Sequence, residues 1–249
     1  MLICINALGQ SNDSIGNSVI DLLNKESPKM KVEIWSDIMC PFCYIGKRKF
    51  ESALYQFKNK NEVEVVWHSF QLNPNLTYQP GRDSYDYIAE LKGITRKNSI
   101  KVHQELVEMG KAVELDFRFD ITKITNSFDA HRIIQLAKKH KADHLIEELF
   151  FKAYFTQGAL MSDHPTLIKL ATEAGLEKTE VELVLAGNRF AEEVRIDSLE
   201  ARQLGVNGVP FFLIDRKLVV SGAQDSKMFL KALEKAYAAW IKENPEIND

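Results

Sequence analysis

The chain carries two thiols at an informative spacing, in Cys40-Pro41-Phe42-Cys43. Cysteines separated by two residues can close a disulfide. Thiol–disulfide exchange needs that arrangement: one thiolate to attack, and a second thiol to resolve the mixed disulfide. The pair directly follows a short apolar segment, Val32 to Ser36, and opens an amphipathic one. At a helix start the unpaired N–H groups and the positive dipole end favour an anion. Cys40 is therefore expected to be the attacking sulfur, and Cys43, one turn inward and more shielded, the resolving one. Pro41 and Phe42 bring no acid or base. The competing use of such a pair is half a zinc site, which needs four ligands. The one other cysteine, Cys4, lies far upstream, and no histidine pair follows at a zinc-finger interval. No metal is expected. His140 and His144 are four apart, but their lysine-rich setting reads as a solvated helix end.

The elements around the pair follow from periodicity. Val32–Trp35 reads as a strand, and Phe42, Ile45, Phe50, Ala53, Leu54 and Phe57 recur at helical spacing. Pro41 suits a first helical turn, where its missing N–H costs nothing. The run Val63–Phe70 is β-branched and aromatic, which predicts a buried, parallel strand. Asn73-Pro74 and Pro80-Gly81 interrupt the pattern. Helices are expected at 84–92, 98–111, 127–139, 143–156, 165–174, 179–186 and 190–204, with a short extended piece at 113–119. Phe211–Ile214, a turn at Asp215-Arg216 and Leu218–Val220 then read as a hairpin, followed by a last amphipathic helix. The ends thus give β-α-β and α-β-β-α around a helical block. This is an α/β thioredoxin-like fold with a large all-helical insertion: residues 30–75 and 190–243 form the discontinuous thioredoxin-like domain, and 76–189 the insertion. Residues 1–29 read as a tail, with a weak helix at 18–23 or an upstream start, since Met30 directly precedes the first strand.

Gly208-Val209-Pro210 precedes the hairpin. From spacing alone this is an ordinary trans turn, because only about 5% of X-Pro bonds in folded proteins are cis. His68 on a strand and His131 in a helix are equally open to core roles, with His131 a candidate for lining a cleft. Phe42, Tyr44 and Phe211 flank the expected site as an apolar surface for peptide, or as packing. Glu33 and Asp37 are rival candidates for a proton relay, each with a plain solvated reading beside it.

Bulk composition narrows the classes. The chain has 249 residues, 45% hydrophobic, ample for a substantial core. A formal net charge of −3 argues against broad nucleic-acid or membrane-surface binding. Three cysteines do not make a disulfide scaffold. The first residues lack a basic n-region and a small-residue cleavage site, so a cytoplasmic location is expected.

Residues 36–48, Ser-Asp-Ile-Met-Cys-Pro-Phe-Cys-Tyr-Ile-Gly-Lys-Arg, closely resemble the signature of the DsbA-like oxidoreductases of the FrnE type. So do 67–74, 126–132, 204–212 and 221–224, and the resemblance spans about residues 30 to 240. It implies the thioredoxin fold with a helical insertion, a cis Val209–Pro210 bond opposite the cysteines, and no secretion signal. Phe42 stands where the family commonly has Trp, and residues 1–29 have no counterpart. The function implied is protein thiol–disulfide exchange by Cys40 and Cys43, with Pro210 and the Val209 backbone presenting the substrate chain. No cofactor is needed beyond the redox disulfide, with glutathione as a further co-substrate. Partners would be disulfide- or thiol-bearing proteins, acted on by a monomer or homodimer. The same fold also resembles the glutathione-dependent 2-hydroxychromene-2-carboxylate isomerases and kappa-class transferases, which do not need the second cysteine. A non-catalytic, chaperone-like binder is the third alternative.

Overall fold

The computed structural model describes residues 28–245; Cys4 and the helix expected at 18–23 lie outside them. Four strands form one sheet in the order β2-β1-β3-β4. They are β1 (Met30–Ser36), β2 (Val63–Ser69), β3 (Phe211–Ile214) and β4 (Leu218–Ser221). β1 pairs parallel with β2 and antiparallel with β3, and β3 pairs antiparallel with β4. The parallel pair needs a crossover, and α1 (Pro41–Gln56) provides it.

The alternation along β1 sorts its side chains to two faces. Met30, Val32 and Ile34 pack with Phe50 and Ala53 of α1 and with Phe229 and Leu233 of the last helix, α9 (Ser226–Glu243). Trp35 points the other way, against Ala201 of α8 (Ala191–Gln203) and Phe211. Its indole N–H donates to the Asp197 carbonyl at 2.9 Å. β2 departs from expectation. It is parallel but lies at the sheet edge and is half-buried, because no strand among the described residues covers its outer side.

Between β2 and α8 run α2 (Ser84–Lys92), α3 (Arg96–Lys111), α4 (Phe128–Lys139), α5 (Asp143–Phe155), α6 (His164–Glu173) and α7 (Lys178–Ala186). Asp83 and Asp163 cap α2 and α6 by accepting from Asp86 and Thr166 amides at 2.8 and 2.9 Å. Residues 115–118, within the short extended piece expected at 113–119, form neither helix nor strand; Leu115, Phe117 and Phe119 are buried there. In the hairpin turn both Asp215 and Arg216 have positive φ, 49° and 54°, which the tight connection demands.

One packing contact governs the site. A Cβ placed on Gly46, mid-way along α1, would lie 2.8 Å from Cγ of Pro210. Only glycine permits this approach. Ala would gain about 1 kcal/mol in helix propensity, yet the clash is with a closed ring that cannot swing aside. Gly46→Ala is expected to destabilise by about 1–3 kcal/mol, a loss of roughly 3–10 °C in Tm. Gly208→Ala, where the new methyl meets no atom within 4 Å, is expected to leave Tm nearly unchanged in the same thermal melts.

Candidate active site

Cys40 stands at the N-cap of α1 in extended conformation, with Pro41 in the first turn. Its backbone N–H donates to the Asp37 carbonyl at 2.9 Å, closing the Asp37–Met39 loop. Its sulfur makes no capping bond to the α1 amides. Instead the thiol donates to the Val209 carbonyl at 3.6 Å. The Val209–Pro210 bond is cis. Both thiols are free and buried. They sit in the hydrophobic cluster shared with the helical block, not in the one between sheet, α1 and α9.

Cys43 is held protonated. Burial raises it well above the ordinary thiol range, and a hydrogen bond to the Cys40 sulfur and that sulfur's charge raise it further. The Asp37 amide and the Ser36 hydroxyl work against them. Cys43 thus directs its proton at the sulfur of Cys40.

The expected apolar surface is smaller than the sequence suggests. Phe42 is 41% exposed, while Tyr44 and Phe211 are buried. Tyr44 stacks on Phe151 of α5 at 4.8 Å and donates to Glu148 at 2.7 Å. Phe211 packs edge-on against Trp35. Both are drawn inward because each finds an aromatic partner, one stacked and one edge-on. Leu72, 52% exposed, and the half-buried Met39 and Val209 complete the open surface. His131 lines no open cleft: it is fully buried, its Nε2 3.4 Å from Asp37 without hydrogen-bond geometry. Asp37 lies beside the pair, its carboxylate accepting from the Met39 and Leu72 amides at 3.2 and 2.8 Å. Glu33 is engaged elsewhere. Arg216 donates to it at 2.7 Å and His68 meets it at 3.2 Å, on the α8 side of the sheet.

His68 is a fully engaged core histidine, stacked on Trp35 at 4.4 Å and 2.8 Å from Asp197. His68, Asp197 and Glu200 bring three potential ligand atoms together. Their carboxylates are already neutralised, by Lys138 on Asp197 and by Arg216 on Glu200. His140 and His144 do not converge. They bind Glu180 and Glu51 respectively, because a turn separates their helices.

Sequence reasoning missed a buried charge network one turn below Cys43. Lys47 has a side chain 1% exposed, and its ammonium lies 2.5 Å from Glu51 and 2.8 Å from Glu148. Arg48 also binds Glu148. Burial opposes ionisation of Glu148, but Lys47 and the bonds from Tyr44 and Arg48 hold its carboxyl down at about 2. Its neighbour Glu147 is buried with Oε2 unpartnered. Burial pushes it up to about 8, against the pull of Lys47. The available signal was phase: Glu147 falls three and four residues before Phe150 and Phe151, on the apolar face of α5.

A family model for the DSBA-like thioredoxin domain matches residues 31–234, so the chain belongs to that family and has its thioredoxin-like fold. A structure described as a "probable DsbA oxidoreductase", from Streptomyces coelicolor, is 37% identical, with a TM-score of 0.80, over 84% of this chain and 90% of that one. An uncharacterised protein of Bacillus subtilis, YwbO, is 27% identical over 209 residues, 81% of this chain and 94% of its own. A cytosolic disulfide reductase from Pseudomonas aeruginosa, DsbM, shares the fold at 14% identity, with a TM-score of 0.58 over 86% of this chain and 98% of its own.

Glu147 predicts a pH dependence. Its folded-state value of about 8 is above the ordinary 4.5, so the folded state holds a proton that the unfolded chain has lost. Its contribution is complete below pH 4.5 and falls away as pH rises toward 8, at up to about 1.4 kcal/mol per pH unit. Glu147→Gln removes that slope. Urea midpoints are expected to show the variant gaining about 1–3 kcal/mol on the wild type between pH 5 and pH 8.

Proposed function

We propose that this protein is a thiol–disulfide oxidoreductase acting on polypeptides. The observation that carries the reading is the geometry of the pair: Cys40 stands at the N-cap of α1 with its sulfur 3.6 Å from the Val209 carbonyl, and Cys43 lies one turn inward, buried, its thiol raised by that burial. In the reducing direction the Cys40 thiolate attacks a substrate disulfide, forming a Cys40–substrate disulfide and releasing one substrate thiolate. Cys43 then loses its proton and attacks the Cys40 sulfur. The second substrate thiolate leaves, and the enzyme is left as the Cys40–Cys43 disulfide. Two electrons pass to the substrate, and the released thiolates take up protons. Oxidation is the same path reversed. Exchange requires only the sulfur pair, with glutathione or another thiol recycling it.

Pro210 and Val209 are assigned to substrate presentation. Their place opposite Cys40 supports this, since a substrate strand alongside 208–210 would bring main-chain groups to the Val209 carbonyl. Phe42, Leu72 and Val209 would receive its apolar side chains. No helix among the described residues is long and apolar enough to cross a membrane. With so few cysteines, the working compartment in this reading is the cytoplasm, and the working unit a monomer or homodimer.

Reduction of insulin disulfides in a glutathione buffer tests the proposal. Cys40→Ser is expected to lose activity by on the order of a thousandfold or more, as removal of a nucleophile does. Cys43→Ser should stall as a mixed disulfide seen by mass spectrometry. Full turnover by Cys43→Ser would instead favour the glutathione-dependent isomerase or transferase reading. Refolding assistance that survives loss of both cysteines would favour a chaperone-like binder.

A further inference from the structure

A groove of about 830 Å³ lies between the chain that follows β2, the start of α4, and α8. Residues 71–75 form one wall, including Gln71 and Asn75, and α8 forms another, with Arg195, Ser198 and Arg202. Asn126 ties the first wall to the helical block. Its amide donates to the Pro74 and Leu76 carbonyls and its oxygen accepts from Gln71. Both walls connect to the segments that hold Cys40. The first leads through the Leu72 amide, which is bonded to Asp37, whose carbonyl accepts from Cys40. The second continues from α8 through residues 204–208 to Val209, which faces the sulfur.

The groove is cationic and unsatisfied. Arg202 is exposed and makes no ion pair among the described residues. Arg195 has one weak ion-pair partner, Glu192, at 3.4 Å with both side chains exposed, and its guanidinium lies over the Phe128 ring of the groove at 6.0 Å, which leaves its N–H fork open to an acceptor. The acid in the lining, Asp129, is already bound by Arg132 and His164, each at 2.8 Å. The Asn75 amide group and the Ser198 hydroxyl make no hydrogen bond among the described residues, so they are free to donate. Arginine presents a planar fork of donors that matches a carboxylate.

We infer that this groove binds an acidic stretch of the substrate polypeptide, next to the cysteine that reacts at Cys40. The inference rests on the exchange reading above and names its substrate class. Arg195 and Arg202 are seven residues apart, about 10 Å along the helix. That spans about three residues of extended chain. The preferred substrate therefore carries glutamate or aspartate within a few positions of one side of its cysteine, with apolar residues against Phe42 and Leu72.

Two matched peptide disulfides test this, one with glutamates flanking the cysteine and one with lysines. The full chain is expected to reduce the acidic peptide with about tenfold higher kcat/KM, and the ratio should shrink at high salt. Arg195→Glu/Arg202→Glu should abolish or reverse it. Equal rates for the two peptides in the wild type, or an acidic preference that the double variant keeps, would overturn the inference. So would a charge effect confined to glutathione, which would make the occupant a small thiol. Binding of the serine analogue of the acidic peptide, read by fluorescence anisotropy, separates the two claims. Charge-dependent binding without any disulfide reduction upholds the groove and refutes the exchange activity.

Discussion

The close approach of α1 to the segment before β3 is the constraint on which the site depends. Pro210 sits against the bare Cα of Gly46, and this fixes how far the Val209 carbonyl stands from the first turn of α1. The sheet delivers both parts. β1 ends at Ser36 and hands the chain to the cysteine loop, while Trp35 is in register with Phe211, next to Pro210. Two segments some 170 residues apart in sequence thereby meet at one sulfur, held by strand pairing and by one missing methyl group.

Charge is handled unusually close to this point. A buried ammonium is costly unless several acceptors surround it, and Lys47 is met by Glu51 and Glu148. The bonds from Lys47 and Arg48 to Glu148 also join α1 to α5, so the helix carrying both cysteines is clamped to the helical block. The aromatic stack of Tyr44 on Phe151 adds a second fastening. Cys43 lies between these fixed groups and the loop at Asp37. Its burial raises the thiol well above the ordinary range and so holds its proton in place.

Much of this was legible because local rules and tertiary packing agree. The strand–CxxC–helix order, the helix ends at Lys92 and Lys139 and the turn at Asp215-Arg216 follow from periodicity, caps and turn chemistry. The half-exposed state of β2 was not legible, since strand composition reports burial on two faces and not a place in the sheet order. Burial of Tyr44 and Phe211 depended on Phe151 and Trp35, partners distant in sequence. Glu33 and Asp37 could not be ranked by sequence. The structure parts them: Arg216, reaching from the hairpin turn, engages Glu33, and Asp37 remains at the cysteine loop.

The central claim of the proposed exchange activity is a division of labour between the sulfurs: Cys40 is the one that reacts, while Cys43, raised by burial, holds its proton. Alkylating the reduced protein with sub-stoichiometric iodoacetamide near neutral pH, then mapping the label by peptide mass spectrometry, tests it directly. The account predicts label on Cys40, with Cys43 modified only after unfolding. Label shared equally between them, or found first on Cys43, would contradict it.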